Sequence, residues 1–287
     1  MEKAYNLREM SLMDIQQECL TILKDVHQFC VDHQINYTLC GGTLLGAIRH
    51  NGYIPWDDDI DIAMPRPDYD RFIQIYQSKN GYQLFAAEKK NCKGVKIAFA
   101  RVCDMHKTYV DTNFIPWNEV ETGLWIDVFP LDGANDNIIE VKKKTSQIIM
   151  IWRLCIFHRI GYGDLSKKKY IGKKLRTLFL KVFYLNKVGC VIDKLTKLHI
   201  RQCRYWDYSQ CNYFTSFTFP KHGIKEYLPQ SMLATYSLHV FEDTHFYVMD
   251  QYDEWLKALF GDYMKLPPLE QRIGNGHENI YYWREKV

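Results

Sequence analysis

Between residues 11 and 33 the apolar positions Leu12, Ile15, Ile22, Leu23, Val26 and Phe29 recur at helical spacing, with Ser11 and Asp14 standing where an N-cap and a first-turn acid belong. The pattern predicts an amphipathic helix. INYTLC (35–40) alternates as a strand does and runs directly into GGTLLGAIRH, whose paired glycines permit a tight turn before a short helix. After the turn signal NGY, IPWDDDIDIAM reads as a second strand, ended by Pro65 and Pro67, and a helix begins in DYDRFIQIY. Further strands are expected at YQLFA (82–86), VKIAFARVC (95–103) and LWIDVF (124–129). From about 136 to 205 the pattern is helical. The tail returns to mixed structure through YFTSFTF and FEDTHFYVM, then a helix around YDEWLKALF that stops at Gly261. Strands with flanking helices predict an α/β (α+β) core over residues 1–135, followed by a helical segment (136–205) and a mixed segment (206–287) packing back on the core. No internal repeat, low-complexity tract or long linker separates these parts.

Composition narrows the class. With 287 residues, 47% hydrophobic and 25% charged, the chain has the make-up of a globular protein and not of a disordered or collagen-like one. Its N-terminal stretch lacks the cationic and apolar regions of a secretory signal, and no run of 18 apolar residues could cross a bilayer, so a cytoplasmic protein is expected. The nine cysteines form an odd set without CxxC, which predicts reduced, buried thiols. His199, Cys203, Cys211 and His222 fit no standard zinc spacing. Net charge is only +3, yet residues 141–204 hold 17 Lys or Arg against the acids Asp164 and Asp193, a local +15 that leaves −12 on the remainder. Such a segment suits work beside the anionic inner face of a membrane or on a lipid-diphosphate-linked glycan; a helical unit with a solvated cationic face has the same pattern. No nucleic-acid motif accompanies the charge, so nucleic acid is not an expected partner.

The chemistry gathers in WDDDIDIAM. If this stretch is a strand, Asp57, Asp59 and Asp61 share one face, about 6.5 to 7 Å apart, while Asp58, Ile60 and Ile62 share the other. An EF-hand loop is excluded by Ile62, where the sharp turn needs Gly. A merely solvated acidic turn fits poorly with the interleaved isoleucines. The remaining reading is a metal-binding D-x-D, Asp59 and Asp61, positioning a nucleotide diphosphate with Mg²⁺ or Mn²⁺. Upstream, the Gly41–Gly42 turn is either a plain entry to a helix or an anion site built from backbone N–H groups. A phosphate cradle followed by D-x-D is the order found in nucleotidyltransferases. A third acid is expected from a neighbouring strand, and Asp127 is the charged residue inside LWIDVF. It needs a cation to be buried there, unless it caps a backbone turn ahead of PLDG.

GGTLLGAIRHNGYIPWDDDIDIAMPRPDYDRF, WIDVFPLDG and YDEWLKALFGDYMKLPPLEQR resemble the signature blocks of the LicD family of phosphocholine transferases, the group that includes fukutin and the fukutin-related protein. The insertion RHNGYIPW between the glycines and D-x-D departs from general nucleotidyltransferases and is shared by this family. The resemblance implies a nucleotidyltransferase-like mixed sheet with flanking helices. It also implies transfer of a phosphorylated alcohol, typically phosphocholine and in relatives ribitol or glycerol phosphate, from a CDP-alcohol such as CDP-choline to a cell-surface glycan or its lipid-linked precursor. By the same resemblance Asp59, Asp61 and Asp127 are the catalytic metal carboxylates, Gly41, Gly42 and Thr43 the phosphate cradle, and Arg49 a contact to the donor diphosphate. Choline would favour an aromatic cage, for which 20 Tyr and 7 Trp give material without location. Glu270, Arg272 and His277 lie in or beside the C-terminal block with no role assigned. Transfer of NMP to a small molecule is the competing enzyme reading, and a non-catalytic polyanion scaffold the competing reading of another class.

Overall fold

The computed structural model describes residues 5–89, 92, 95–112, 122–160, 188–272 and 279–286. Helix α1 (Leu12–Asp32) opens on a complete capping box: the Ser11 side chain accepts from the Asp14 N–H while the Asp14 carboxylate accepts from the Ser11 N–H. Its apolar face, including Ile15, Ile22, Leu23 and Val26, is buried in the main core. The central sheet is ordered β2 (Thr38–Leu39), β3 (Asp61–Pro65), β7 (Trp125–Ala134), β5 (Ala100–Cys103), β4 (Gln83–Phe85). β3 and β7 run parallel and the other pairs are antiparallel. Ile62, Ala63 and Met64 are all buried, the continuous apolar run of a strand covered on both faces. Helices α2 (Gly41–His50) and α3 (Arg66–Ile75) flank β3 in sequence, the second taking Pro67 in its first turn, where a missing N–H costs nothing. This is the mixed α/β class expected from the pattern.

Several elements differ from their expected form. The strand expected across 54–64 begins only at Asp61, so residues 57–60 are a loop and the alternating-face argument does not apply to Asp57, Asp58 and Asp59. The expected strands at 35–40 and 95–103 contract to Thr38–Leu39 and Ala100–Cys103. FEDTHFYVM is the closing half of a hairpin, β10 (Tyr236–Phe241) and β11 (Thr244–Met249), turned at Glu242 with φ +57°. A second sheet of β1 (Tyr5–Glu9), β12 (Asn279–Lys286) and β6 (Thr108–Thr112) joins segments far apart in the chain. The strand β7 also pairs with β8 (Tyr213–Thr215), which pairs with β9 (Leu228–Pro229).

The helical segment contributes α4 (Ile138–Ile160) and α5 (Val188–Cys203), packed on each other; the basic residues between them lie outside the described residues. Val141, Ile148 and Cys203 form a small core with Ala134 and Phe217. No helix among the described residues is long and apolar enough to cross a membrane. Charge fastens this segment to the sheet. Buried Arg66 binds Asp132 through Nε (2.7 Å) and Nη2 (2.6 Å) and lies 3.6 Å from both Glu88 and Asp70. Arg204, just past α5, closes the network on Glu88 and Asp70. Helix α6 (Tyr252–Phe260) packs Trp255 and Leu256 into the main core and ends at Gly261 with φ +69°.

Replacing Arg66 with Leu strands the Asp132 carboxylate in the core and is expected to cost about 3–5 kcal/mol, read as a lower urea midpoint. Lys79→Ala, which breaks the exposed pair with Asp32, is expected to leave the midpoint unmoved.

Candidate active site

The N-terminus of α2 faces the aspartates at close range. Gly41 has φ +55°, and a Cβ there would lie 3.3 Å from Asp61 Oδ2; a Cβ on Gly42 would lie 2.7 Å from Asp57 Oδ2. Glycine is required because the carboxylates occupy the space a side chain would take, against the positive end of the helix. The Thr43 hydroxyl accepts from the Asp61 N–H (2.8 Å) and so locks α2 to the start of β3.

The loop before β3 folds the acids together. Asp57 N–H donates to Ile54 O (2.8 Å) and the Gln16 amide donates to Asp57 O (2.8 Å), and one carboxylate oxygen from each of Asp57, Asp58 and Asp59 lies within 4.8 Å of the others. Asp58, expected to face away from its neighbours, therefore joins them. Asp61 and Asp127 stand next to this group as direct partners in the parallel β3–β7 register, and Arg101 of β5 is the antiparallel partner of Asp127. A single row across three strands thus reads Asp61, Asp127, Arg101. The guanidinium grips Asp127 through Nε–Oδ1 (2.6 Å) and Nη2–Oδ2 (3.4 Å) and lies 4.1 Å from the centroid of the Trp125 ring.

The electrostatics are lopsided. Burial, followed by the nearby charges of Asp59, Asp127 and Asp57, pushes the Asp61 carboxyl well above the ordinary carboxylate range, and Arg101 pulls only partly against them. All-oxygen ligands suit a hard divalent cation such as Mg²⁺ or Mn²⁺; among the described residues the three acids close enough to share one are Asp57, Asp58 and Asp59, while Asp61 and Asp127 pair with each other across the strands and Arg101 grips both Asp127 oxygens.

Other sequence-derived residues fall elsewhere. Arg49 lies at the opposite end of α2 from the glycines, donating to Tyr263 O (2.8 Å) and His50 Nε2 (3.0 Å). Arg272 donates to Pro267 O (2.8 Å) and lies 5.9 Å from the Trp56 ring centroid. Glu270 is exposed, and His277 lies outside the described residues. Arg101 escaped the sequence reading; its signal was an arginine inside the apolar run VKIAFARVC.

Residues 34–153 match the family model described as LicD/FKTN/FKRP, nucleotidyltransferase domain. Over 282 residues the chain is 30% identical to the lipopolysaccharide cholinephosphotransferase LicD of Haemophilus influenzae, covering 96% of this chain and 99% of that protein. It is 32% identical over 117 residues to the human ribitol 5-phosphate transferase FKRP, covering 38% of this chain and 24% of that protein. An uncharacterized protein of Rickettsia typhi is 40% identical over 73 residues, or 25% of this chain and 22% of its own length.

Scanning fluorimetry is expected to show Mg²⁺ or Mn²⁺ raising the melting temperature of the native protein and leaving Asp59→Ala unmoved. Without metal, Asp61→Asn is expected to melt above the native protein, because it removes a repelled buried charge. Gly42→Ala should displace the Asp57 carboxylate and shrink the metal-induced shift while the circular dichroism spectrum stays native.

Proposed function

The chain belongs to the LicD/FKTN/FKRP family, and we propose that it transfers a phosphorylated alcohol, phosphocholine foremost, from a CDP-activated donor to a hydroxyl of a cell-surface glycan or its lipid-linked precursor, releasing CMP. The observation that carries this reading is the row Asp61–Asp127–Arg101 set beside the acid loop, with the N-terminus of α2 packed against Asp57 and Asp61. The named relatives are phosphotransferases acting with choline phosphate and ribitol phosphate, which supports an enzyme of the same class here.

In this reading Asp59, Asp61 and Asp127 hold Mg²⁺ or Mn²⁺, with Asp57 and Asp58 close by. When bound, the ion neutralises the donor diphosphate and stabilises the charge that develops on departing CMP. The first N–H groups of α2 have no partner within the helix, and because the Asp57 and Asp61 carboxylates lie against Gly41 and Gly42, donor phosphate would meet that helix end beside those carboxylates and the ion they would hold. Thr43 fixes the spacing between that end and Asp61. Arg101 orients Asp127 and limits the repulsion between it and Asp61. The acceptor oxygen attacks the phosphorus that bears the alcohol, the bond from that phosphorus to the CMP oxygen breaks, and the hydroxyl proton passes to a carboxylate of the acid group.

The exposed cations Lys142, Lys143 and Arg153 of α4 and Lys194, Lys197 and Arg201 of α5 are suited to an anionic bilayer surface or a lipid diphosphate. These cations support, as part of the same proposal, work beside the inner face of the membrane.

Incubation with CDP-choline, Mg²⁺ and a glycan acceptor is expected to release CMP, and Asp61→Ala or Asp127→Ala to slow release by about 10³-fold, the several kcal/mol that a metal centre contributes. Folded variants that retain the native rate would overturn the assignment. Pyrophosphate released only from an NTP would indicate nucleotidyl transfer.

A further inference from the structure

A cavity of about 60 Å³ has Gly41 and Asp61 in its wall and continues along the face of β3 and β7 that carries Ala63, Phe129 and Leu131. Its walls include Phe129 of β7, Phe219, Trp255 of α6 and Glu226. Trp255 is 1% exposed, and its indole N–H donates to Glu226 Oε1 (3.2 Å); the Phe129 and Phe219 rings lie 5.6 Å apart between centroids. Glu226 is itself only 7% exposed, and no lysine, arginine or histidine among the described residues makes an ion pair with it. His222, which lines the same cavity, is held toward its neutral form by burial and by Lys221 and Lys225. Burial pushes the Glu226 carboxyl up to about 7, against the one opposing effect of the indole N–H.

A buried carboxylate beside three aromatic rings is complementary to a cation that brings no hydrogen-bond donors. A primary ammonium would need an acceptor for each N–H and a polyol a partner for every hydroxyl, and beyond Asp61, Ser216, His222 and Glu226 the wall is apolar and aromatic. A quaternary ammonium needs only a negative charge and polarisable surfaces. The volume agrees: at about 10–15 Å³ for each water-sized group, the cavity admits about four to six heavy atoms, enough for a trimethylammonium head. One nitrogen and three methyl groups make four. Asp61 belongs to both the cavity wall and the carboxylate group, so an alcohol whose head sits here carries its phosphate toward the reacting centre across a two-carbon bridge.

We propose that this cavity is the alcohol subsite, taking the trimethylammonium head of a choline phosphate donor with Glu226 as counter-ion and Trp255, Phe129 and Phe219 as walls. The proposal rests on the transferase reading above and adds the residues that choose the donor. It accounts for a buried glutamate and an indole N–H that the transfer step does not use.

Glu226→Gln keeps an acceptor for the indole N–H and removes only the charge. Selectivity for CDP-choline over CDP-glycerol, measured as the ratio of kcat/KM for CMP release, is expected to fall about tenfold in this variant. Phe219→Leu is expected to lower the same ratio. Tetramethylammonium chloride, compared with sodium chloride at equal ionic strength, should raise the melting temperature of the native protein and leave Glu226→Gln unmoved. An unchanged ratio, or a native protein that turns over CDP-glycerol in preference to CDP-choline, overturns the subsite while leaving the transferase reading standing. If neither donor yields CMP the transferase reading fails, and the tetramethylammonium shift still decides the cavity: its loss in Glu226→Gln supports a cation site, and an equal or absent shift refutes it.

Discussion

The arrangement of this protein turns on the repulsion among Asp57, Asp58, Asp59, Asp61 and Asp127. Carboxylates this close lower stability unless cationic or dipolar groups face them, and the surrounding fold supplies several. The start of α2 is pressed against Asp57 and Asp61 so tightly that side chains are excluded at Gly41 and Gly42. Arg101 crosses from β5 to hold Asp127, and the Asp61 carboxyl is still displaced upward. The same repulsion accounts for the acids leaving the sheet early: only Asp61 is committed to β3.

Legibility followed the range of the interactions. Helix α1 and its start at Ser11 were readable because a capping box and a long 3.6-residue pattern are local. So were Asp61 and Asp127, each a charge embedded in an apolar strand whose neighbours set the face. The loop 57–60 was misread because D-x-D-x-D imitates a strand period, while mutual repulsion, which the period does not encode, favours a curled loop around a shared centre. Arg101 could not be assigned because its partner is defined by cross-strand register, and Glu226 because its indole partner lies 29 residues away on another element. The β1–β12–β6 sheet was missed for the same reason, its pairings joining the two ends of the described chain.

Two charged networks do different work. Around Arg66, cations and acids are interlocked: Arg66 and Arg204 together face Asp132, Glu88 and Asp70, and the result fastens the helical segment to the back of the sheet. Around Asp61 the acids crowd one another, and the Asp61 carboxyl stays displaced upward despite Arg101. The two lie at opposite ends of β3, whose last residue leads straight into Arg66, so one five-residue strand carries structural charge at one end and reactive charge at the other.

The hairpin turn at Glu242 bears on how such a site comes into being. Its carboxylate accepts from the Tyr53 N–H (2.9 Å), its own N–H donates to Asn51 O (2.9 Å), and its side chain fills the space a Cβ on Gly52 would need. These bonds brace the bend between α2 and the acid loop, yet they join residues 189 positions apart. Contacts of such separation form late and slowly. During synthesis, the segment from Gly41 to Asp61 waits for the hairpin to emerge before its bend is secured, so the acid loop is an early part of the sequence that matures among the last parts of the fold.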